Sequence, residues 1–398
     1  MMYDFKTILD YVKEEDVKFI RLAFTDVYGK QKNVSIMPHE LERAFKYGVS
    51  IDSMAIKGFE SGYKSDLFLF PNQDTITVLP WRPREGRVIR MFCDIKYPDG
   101  RDFVCDTRKL LINAISEAKK NGLEFHFGSE IEFYLFKADE EGESTGVTYD
   151  KAGYMDIAPD DKGENIRREI CLTLEEMGIM PERSHHEEGP GQNEVAFKYA
   201  DALRAADEAI TFKTVVKTVA GRNGLYASFD PKPISNEPGN GYHINFSVTG
   251  GNLEGAIEGV LRHIKEITAF LNVSEKSYDR LGKLMAPKYI SWSSENRSEL
   301  IRIPAAKDHY VRAELRSPDP QINPYIAFTL LIYAGMEGIL NNYKLREPVD
   351  SDLNQASDAL LGKLEKLPLS LDEAKKEALN SEFVKKYIPK EILNNYLK

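Results

Sequence analysis

The chain has 398 residues, 42% hydrophobic and 29% charged, a composition that excludes a disordered or collagen-like polymer. Its 53 Lys and Arg against 63 Asp and Glu leave a net charge of −10, a poor balance for non-specific nucleic-acid binding. Three cysteines, Cys93, Cys105 and Cys171, are too few and too scattered for a disulfide framework or a zinc site. They read as reduced thiols of a cytoplasmic protein. No run of residues is long and apolar enough for a membrane span, and the first residues carry no secretory pattern.

In chain order, residues 1–103 show short apolar runs broken by turns. Phe19–Phe24, closed by Asp26-Val27-Tyr28-Gly29, and Thr75–Leu79, closed by Pro80, are predicted as strands of a small sheet-rich domain with one or two helices. The texture changes near Asp106, which with Thr107 caps a predicted helix running to Gly122. Apolar residues at three- and four-residue spacing predict further helices over 162–177, 201–222, 252–271 and 321–341. Strands lie between them. The fold class is therefore α+β, with residues 104–398 forming a larger domain of helices on a mostly antiparallel sheet. The tail 343–398 is charged and helical, with Asp350 and Ser370 as expected caps.

Strand periodicity places charge on one face at three points. Glu130 and Glu132 share a face opposite Ile131, Phe133 and Leu135. His243, Asn245 and Ser247 share one opposite Ile244, Phe246 and Val248, and Arg312, Glu314 and Arg316 one opposite Ala313 and Leu315. Each alone reads equally as an ordinary amphipathic strand with water on one side. A further segment, Ser184-His185-His186-Glu187-Glu188-Gly189-Pro190-Gly191-Gln192-Asn193-Glu194, adds acids and imidazoles on a turn-forming loop. Pooled on one surface, such acids repel unless cations sit among them, and hard divalent ions such as Mg²⁺ or Mn²⁺ take these ligands. Arg280, Arg297, Arg302, Arg312 and Arg316 supply sites for phosphate and carboxylate groups. Together these features suggest phosphoryl transfer from a nucleotide, without a Walker-type loop.

Ordered motifs along almost the whole chain resemble the glutamine synthetase family, in its bacterial and archaeal type I form. They include Gly128-Ser129-Glu130-Ile131-Glu132-Phe133, Ser184-His185-His186-Glu187 with Gly191-Gln192-Asn193-Glu194, Gly241-Tyr242-His243, Asn296-Arg297-Ser298 and Asn323-Pro324-Tyr325. The resemblance implies an N-terminal β-grasp domain, a large catalytic domain with a curved antiparallel sheet, and a homo-oligomeric ring with active sites between neighbouring subunits. It implies ATP and Mg²⁺ or Mn²⁺, and glutamate with ammonia as small-molecule substrates. By position, Glu132, Glu187 and Glu194 match the ligands of one metal, and Glu130, His243 and Glu314 those of the other. Arg297, Arg302 and Arg312 match groups on the ATP phosphates or the transferring phosphoryl group. Glu182, Asn245 and Ser247 match nucleotide-site positions. Gly239, Arg280 and Arg316 match the glutamate site, and Asp52 and Tyr154 match neighbours of ammonium.

The chain departs from the family pattern around the nucleophile. The flap segment Arg280-Leu281-Gly282-Lys283-Leu284-Met285-Ala286-Pro287 is one residue short, with Met285 where the family has Glu. Ala55 replaces a serine in Asp52-Ser53-Met54-Ala55-Ile56, Pro238 precedes Gly239 in place of Asn, and Asn245 replaces the second His of His-x-His. Three readings follow: a working ammonia ligase that has drifted, a γ-glutamyl-amine ligase with an organic amine as nucleophile, or a non-catalytic relative.

Overall fold

The computed structural model describes residues 5–60, 65–82, 85–294, 296–305 and 311–397. Helix α1 (Phe5–Glu14) leads into strand β1 (Val17–Thr25), which turns back as β2 (Gln31–Ile36). The turn is held by the Asp26 carboxylate, which accepts the backbone N–H groups of Tyr28 and Lys30 at 3.1 and 2.9 Å. Helix α2 (Leu41–Tyr47) and strands β3 (Val49–Asp52), β4 (Asp66–Pro71), β5 (Thr77–Val78) and β6 (Arg87–Lys96) complete the first sheet. Its order is β2-β1-β6-β4-β3, with β5 also on β6, and β1 runs parallel to β6. Alternating Ile20, Leu22, Leu67, Leu69, Ile89 and Met91 are buried beneath Ile8 of α1 and Leu41 and Ala44 of α2. This is the β-grasp arrangement implied by the resemblance. The strand expected over Thr75–Leu79 shrinks to the two residues of β5. Asn72 accepts the Asp74 N–H and winds Gln73–Thr75 into a 3₁₀ turn, whose hydrogen bonds compete with extended pairing.

The second sheet uses β7 (Glu124–Ala138), β8 (Ser144–Thr148), β9 (Pro181–His186), β10 (Gln192–Asp201), β11 (Leu225–Ser228), β12 (Tyr242–Thr249), β13 (Trp292–Ser293), β14 (Ile301–Arg302) and β15 (Ala313–Leu315). They run in the order β13-β14-β15-β12-β7-β10-β9, with β8 and β11 also on β7. All pairs are antiparallel except β13–β14, so the expected antiparallel sheet carries one parallel edge. Helices α3 (Thr107–Lys120), α4 (Glu164–Glu176), α5 (Ala202–Arg222), α6 (Leu253–Leu271), α7 (Glu275–Arg280) and α8 (Pro324–Leu340) follow the predicted stretches closely, α7 being additional. Asp106 caps α3 by accepting the Lys109 N–H at 3.1 Å. Helix α8 is apolar nearly all round because it lies inside the packed layer, its Phe328 stacked on Phe127 of β7 at 4.2 Å.

The tail supplies α9 (Asp358–Leu361), α10 (Leu371–Asn380), α11 (Glu382–Tyr387) and α12 (Lys390–Tyr396). Ser370 caps α10 as expected. Asp350 caps no helix; its carboxylate accepts the Ser293 hydroxyl at 2.6 Å instead. The two sheets meet at the N-terminus of α8, where Asn323 donates to the Val27 carbonyl at 2.9 Å. A side chain at Gly29, whose φ is +77°, would come within 2.9 Å of the Asn323 Cα, so only glycine allows this approach.

Candidate active site

Strand register decides which charged residues become neighbours. One row across the second sheet aligns His185 of β9, Glu194 of β10 and Glu132 of β7. The next aligns Arg183, Ala196, Glu130 and His243 of β12. A third aligns Asn245, Glu314 of β15 and Arg302 of β14. Directly opposed side chains on one face stand about 5 Å apart. The sheet therefore gathers acids scattered over 185 residues of chain, from Glu130 to Glu314, into one cluster. Ligand atoms fall within 4.8 Å of one another in three overlapping groups: Glu130–His243–Glu314, Glu132–Glu194–His243 and His185–Glu187–Glu194. Glu130, His243 and Glu314 sit together as the resemblance implied. Glu132, Glu187 and Glu194 are near neighbours, but Glu194 links Glu132 to Glu187, and His185 joins them at 3.3 Å from Glu194 and 3.4 Å from Glu187. His185 was not anticipated as a site residue; its signal was its place two residues before Glu187.

The electrostatics of this cluster are those of a site built for cations. Burial, with Glu194 beside it, pushes the Glu132 carboxyl up to about 7. Burial and the nearby Glu132 and Glu194 push Glu187 to about 9, and burial with Glu194 and Glu314 raises Glu130. Buried His243 is driven the other way, well below the ordinary histidine range, by desolvation and by Arg316, Arg280, Arg297 and Arg302. It is thus a neutral imidazole, the form that ligates metal. Its Nδ1 lies 4.0 Å from Glu130 and 3.8 Å from Glu314, and its Nε2 lies 3.9 Å from Glu132. Clustered carboxylates that hold protons at neutral pH, with one neutral imidazole among them, fit hard divalent cations.

These groups line a cavity of about 540 Å³. Glu132 is anchored at its floor, accepting the Gly241 N–H at 2.7 Å and the Gln192 amide at 3.3 Å. A Cβ at Gly241 would stand 2.8 Å from both Arg280 Nη2 and His243 Nε2, so a side chain there would push these two site residues aside. Arg280 is buried and donates to the backbone carbonyls of Ser317 and Arg316 at 2.8 and 3.2 Å. Arg316 pairs with Glu314, and Arg302 reaches Glu314 at 3.1 Å. Arg312 donates to Asn245 at 2.9 Å, and Asn245 in turn donates to Glu130 at 3.0 Å. Arg297, Gly239 and Tyr154 also line the cavity, Tyr154 with its ring edge-on to His185 at 5.4 Å. Met285 lines the cavity with the flap residues Lys283 and Leu284, as the departure in the flap led one to expect. Arg183, Gln192 and Met155 also line it and were not anticipated as site residues.

Other expected residues do not reach the cavity. Asp52 is exposed at the end of β3, its carboxylate accepting the Met54 N–H at 2.9 Å. Glu182 is exposed on β9 at a shift in register, where Ala196 pairs with Arg183 and Phe197 with Pro181, and it does not line the cavity. Ser247 shares the face of His243 but lies further along β12, beside His126. Asn245 stands behind the wall, buried, acting on it through Arg312 and Glu130.

Comparison with known proteins agrees with this arrangement. A family model described as glutamine synthetase, catalytic domain, matches residues 104–398, and one described as glutamine synthetase, beta-Grasp domain, matches residues 16–98. A glutamine synthetase of Clostridium saccharobutylicum is 42% identical over 416 aligned positions, covering 99% of this chain and 94% of that protein. One of Methanosarcina mazei is 43% identical over 98% of this chain and 92% of that protein. Among solved structures, a GmaS/ADP complex superposes with a TM-score of 0.88 at 26% identity, covering 100% of this chain and 94% of that one. Plasmodium falciparum glutamine synthetase superposes at 0.86, covering 99% and 94%, and at 22% identity that likeness bears on the fold alone. With both of its sheets matched in order and a full-length likeness above 40% identity, the chain belongs to the glutamine synthetase family of ATP-dependent ligases.

Proposed function

We propose that this enzyme forms a γ-amide from glutamate and ammonia, activating the side-chain carboxylate as an acyl phosphate. The observation that supports this most is a single cavity lined by a cluster of carboxylates with arginines set among them. Glu130, His243 and Glu314 would hold one Mg²⁺ or Mn²⁺, and Glu132, Glu187 and Glu194, with His185, a second. Bound there, such ions would neutralise phosphate charge and so ease attack of the substrate carboxylate on phosphorus.

The chain's own side chains do the rest. Arg297, Arg302 and Arg312 stand where paired N–H groups can grip phosphoryl oxygens, which stabilises the charge that spreads over them during in-line transfer. Arg302 is pre-aimed by Glu314 and Arg312 by Asn245, so little order has to be gained on binding. Arg280 and Arg316 fit the α-carboxylate end of the acid substrate, above Gly239, whose lack of a side chain leaves room against Arg280. Glu182 and Ser247 take the nucleotide further out along the same strands. Asp52 is distant from its own chain's cavity and exposed, which supports its delivery to a neighbouring copy's site in a homo-oligomeric ring. Ammonium would meet Asp52 and Tyr154 there.

A second reading, a γ-glutamyl-amine ligase, is favoured by the cavity mouth. Tyr154, Met155, Leu284 and Met285 are exposed there, and residues 283–286 offer no carboxylate to receive a proton from ammonium. The test of both readings is ADP release dependent on metal and glutamate, with ammonium, hydroxylamine and primary alkylamines supplied in turn. Glutamate-dependent release with any of these nucleophiles supports the ligase, and the preferred nucleophile separates the two readings. No glutamate-dependent release with any of them would refute both.

A further inference from the structure

Arg183 is the one residue in its row whose charge opposes that of the acids, and the register explains how it gets there. It shares a row with Ala196, Glu130 and His243. Ala196, the residue between it and Glu130, is too small to separate them. The guanidinium crosses over it to Glu130 at 2.6 Å and lies 4.0 Å from Glu194. Those two carboxylates belong to different candidate metal groups. Four other cavity arginines are engaged elsewhere: Arg280 on backbone carbonyls, Arg302 and Arg316 on Glu314, and Arg312 on Asn245. Arg183 is also the wall residue with room to leave, its side chain being 45% exposed.

We infer that Arg183 is a built-in counter-cation that bridges the two metal groups in the metal-free enzyme and competes with divalent ions for Glu130. This rests on the metal-site reading above and concerns the chain's own charge balance rather than the reaction. The guanidinium neutralises part of the carboxylate cluster when metal is scarce, so the empty site stays folded. Arg183 and Asn245 both take Glu130 Oε1 while Oε2 faces His243 Nδ1 at 4.0 Å, so a divalent ion entering at Glu130–His243–Glu314 meets a positive charge already seated on the same carboxylate. The metal concentration at which the site fills is therefore set in part by Arg183. Repelled by that ion, the half-exposed guanidinium has solvent to swing into.

The experiment uses full-length, chelator-treated protein without nucleotide, and reads free Mn²⁺ by electron paramagnetic resonance alongside thermal melting. Arg183→Ala should bind Mn²⁺ about two- to fivefold more tightly, as expected for loss of a half-exposed ion pair. Its melting temperature in chelator should fall. Arg183→Lys, which keeps the charge, should stay close to wild type in both. Glu130→Gln should lose one Mn²⁺ and serves to test the metal site itself. Unchanged or weaker Mn²⁺ binding in Arg183→Ala, with Glu130→Gln still losing an ion, would overturn the role of Arg183 and leave the metal site standing. Unchanged Mn²⁺ stoichiometry in Glu130→Gln would overturn both.

Discussion

Removing divalent metal should make the protein's stability fall as pH rises from 6 to 8, and Glu132 sets the scale. Its carboxyl titrates at about 7 in the native state, against an ordinary value of 4.5. Between those values the native protein binds more protons than the unfolded chain, so each step up in pH favours unfolding. The protonated carboxyl's contribution is fully present below 4.5 and disappears as pH passes through 7. For one such group the loss between pH 6 and pH 8 is about 1.3 kcal/mol, which corresponds to about 1.5 °C in melting temperature for a chain of this size. Glu130 and Glu187 are raised for the same reason, burial among like charges, so the observed drop should be larger than that of Glu132 alone. The assay is a thermal melt at pH 6 and pH 8, in chelator and in millimolar Mg²⁺. Glu132→Gln, which cannot ionise, should flatten the pH trend in chelator, and Mg²⁺ should flatten it in the wild type. A metal-free protein more stable at pH 8 than at pH 6, or a pH trend unaltered by Glu132→Gln, would refute the claim that burial among like charges raises these carboxyls.

Glu194→Ala should abolish ADP formation, because Glu194 is the acid common to two ligand groups; metal-dependent turnover at the wild-type rate would remove the basis of the site assignment. Arg312→Lys should lower ATP-dependent turnover at least about tenfold, since a point charge replaces a fork held by Asn245, and initial rates against ATP concentration will show it. On the amine reading, hydroxylamine or a hydrophobic amine should exceed ammonium in kcat/KM at pH 7. Ammonium arrives charged and needs a base, and the flap at Gly282–Met285 offers none. Met285→Glu should shift preference back toward ammonium, and efficient ammonium use by the unmodified enzyme would count against the amine reading. His263→Ala should destabilise the protein more at pH 6 than at pH 8. Burial works against its charge, but its bonds to Glu266 and Glu337 at 3.2 and 3.0 Å raise its pKa, so the bridge weakens as pH rises; equal melting-temperature losses at both values would refute it.

Local chemistry makes much of this protein legible in its sequence alone. Alternation by itself puts Glu130 with Glu132 and His243 with Asn245, because a strand's side chains switch faces at every residue whatever lies beside them. Helices α3, α4, α5, α6 and α8 follow from apolar spacing and caps such as Asp106, which are properties of a few consecutive residues. What the chain could not declare is register, since a hydrogen-bonded row joins residues far apart in sequence. Only pairing β10 to β7 and β9 made Glu194 the acid shared between Glu132 and His185. The same pairing aimed Arg183 across Ala196 at Glu130, although nothing within β9 distinguishes it from a solvated arginine. Glu182, one position away, falls at a shift in that register and stays outside the cavity lining. Distance between elements is likewise tertiary: Asp52 ends β3 on the first sheet, and only the assembled fold places it outside its own cavity. The acids are a local fact of the sequence; their partners are a consequence of which strands lie side by side.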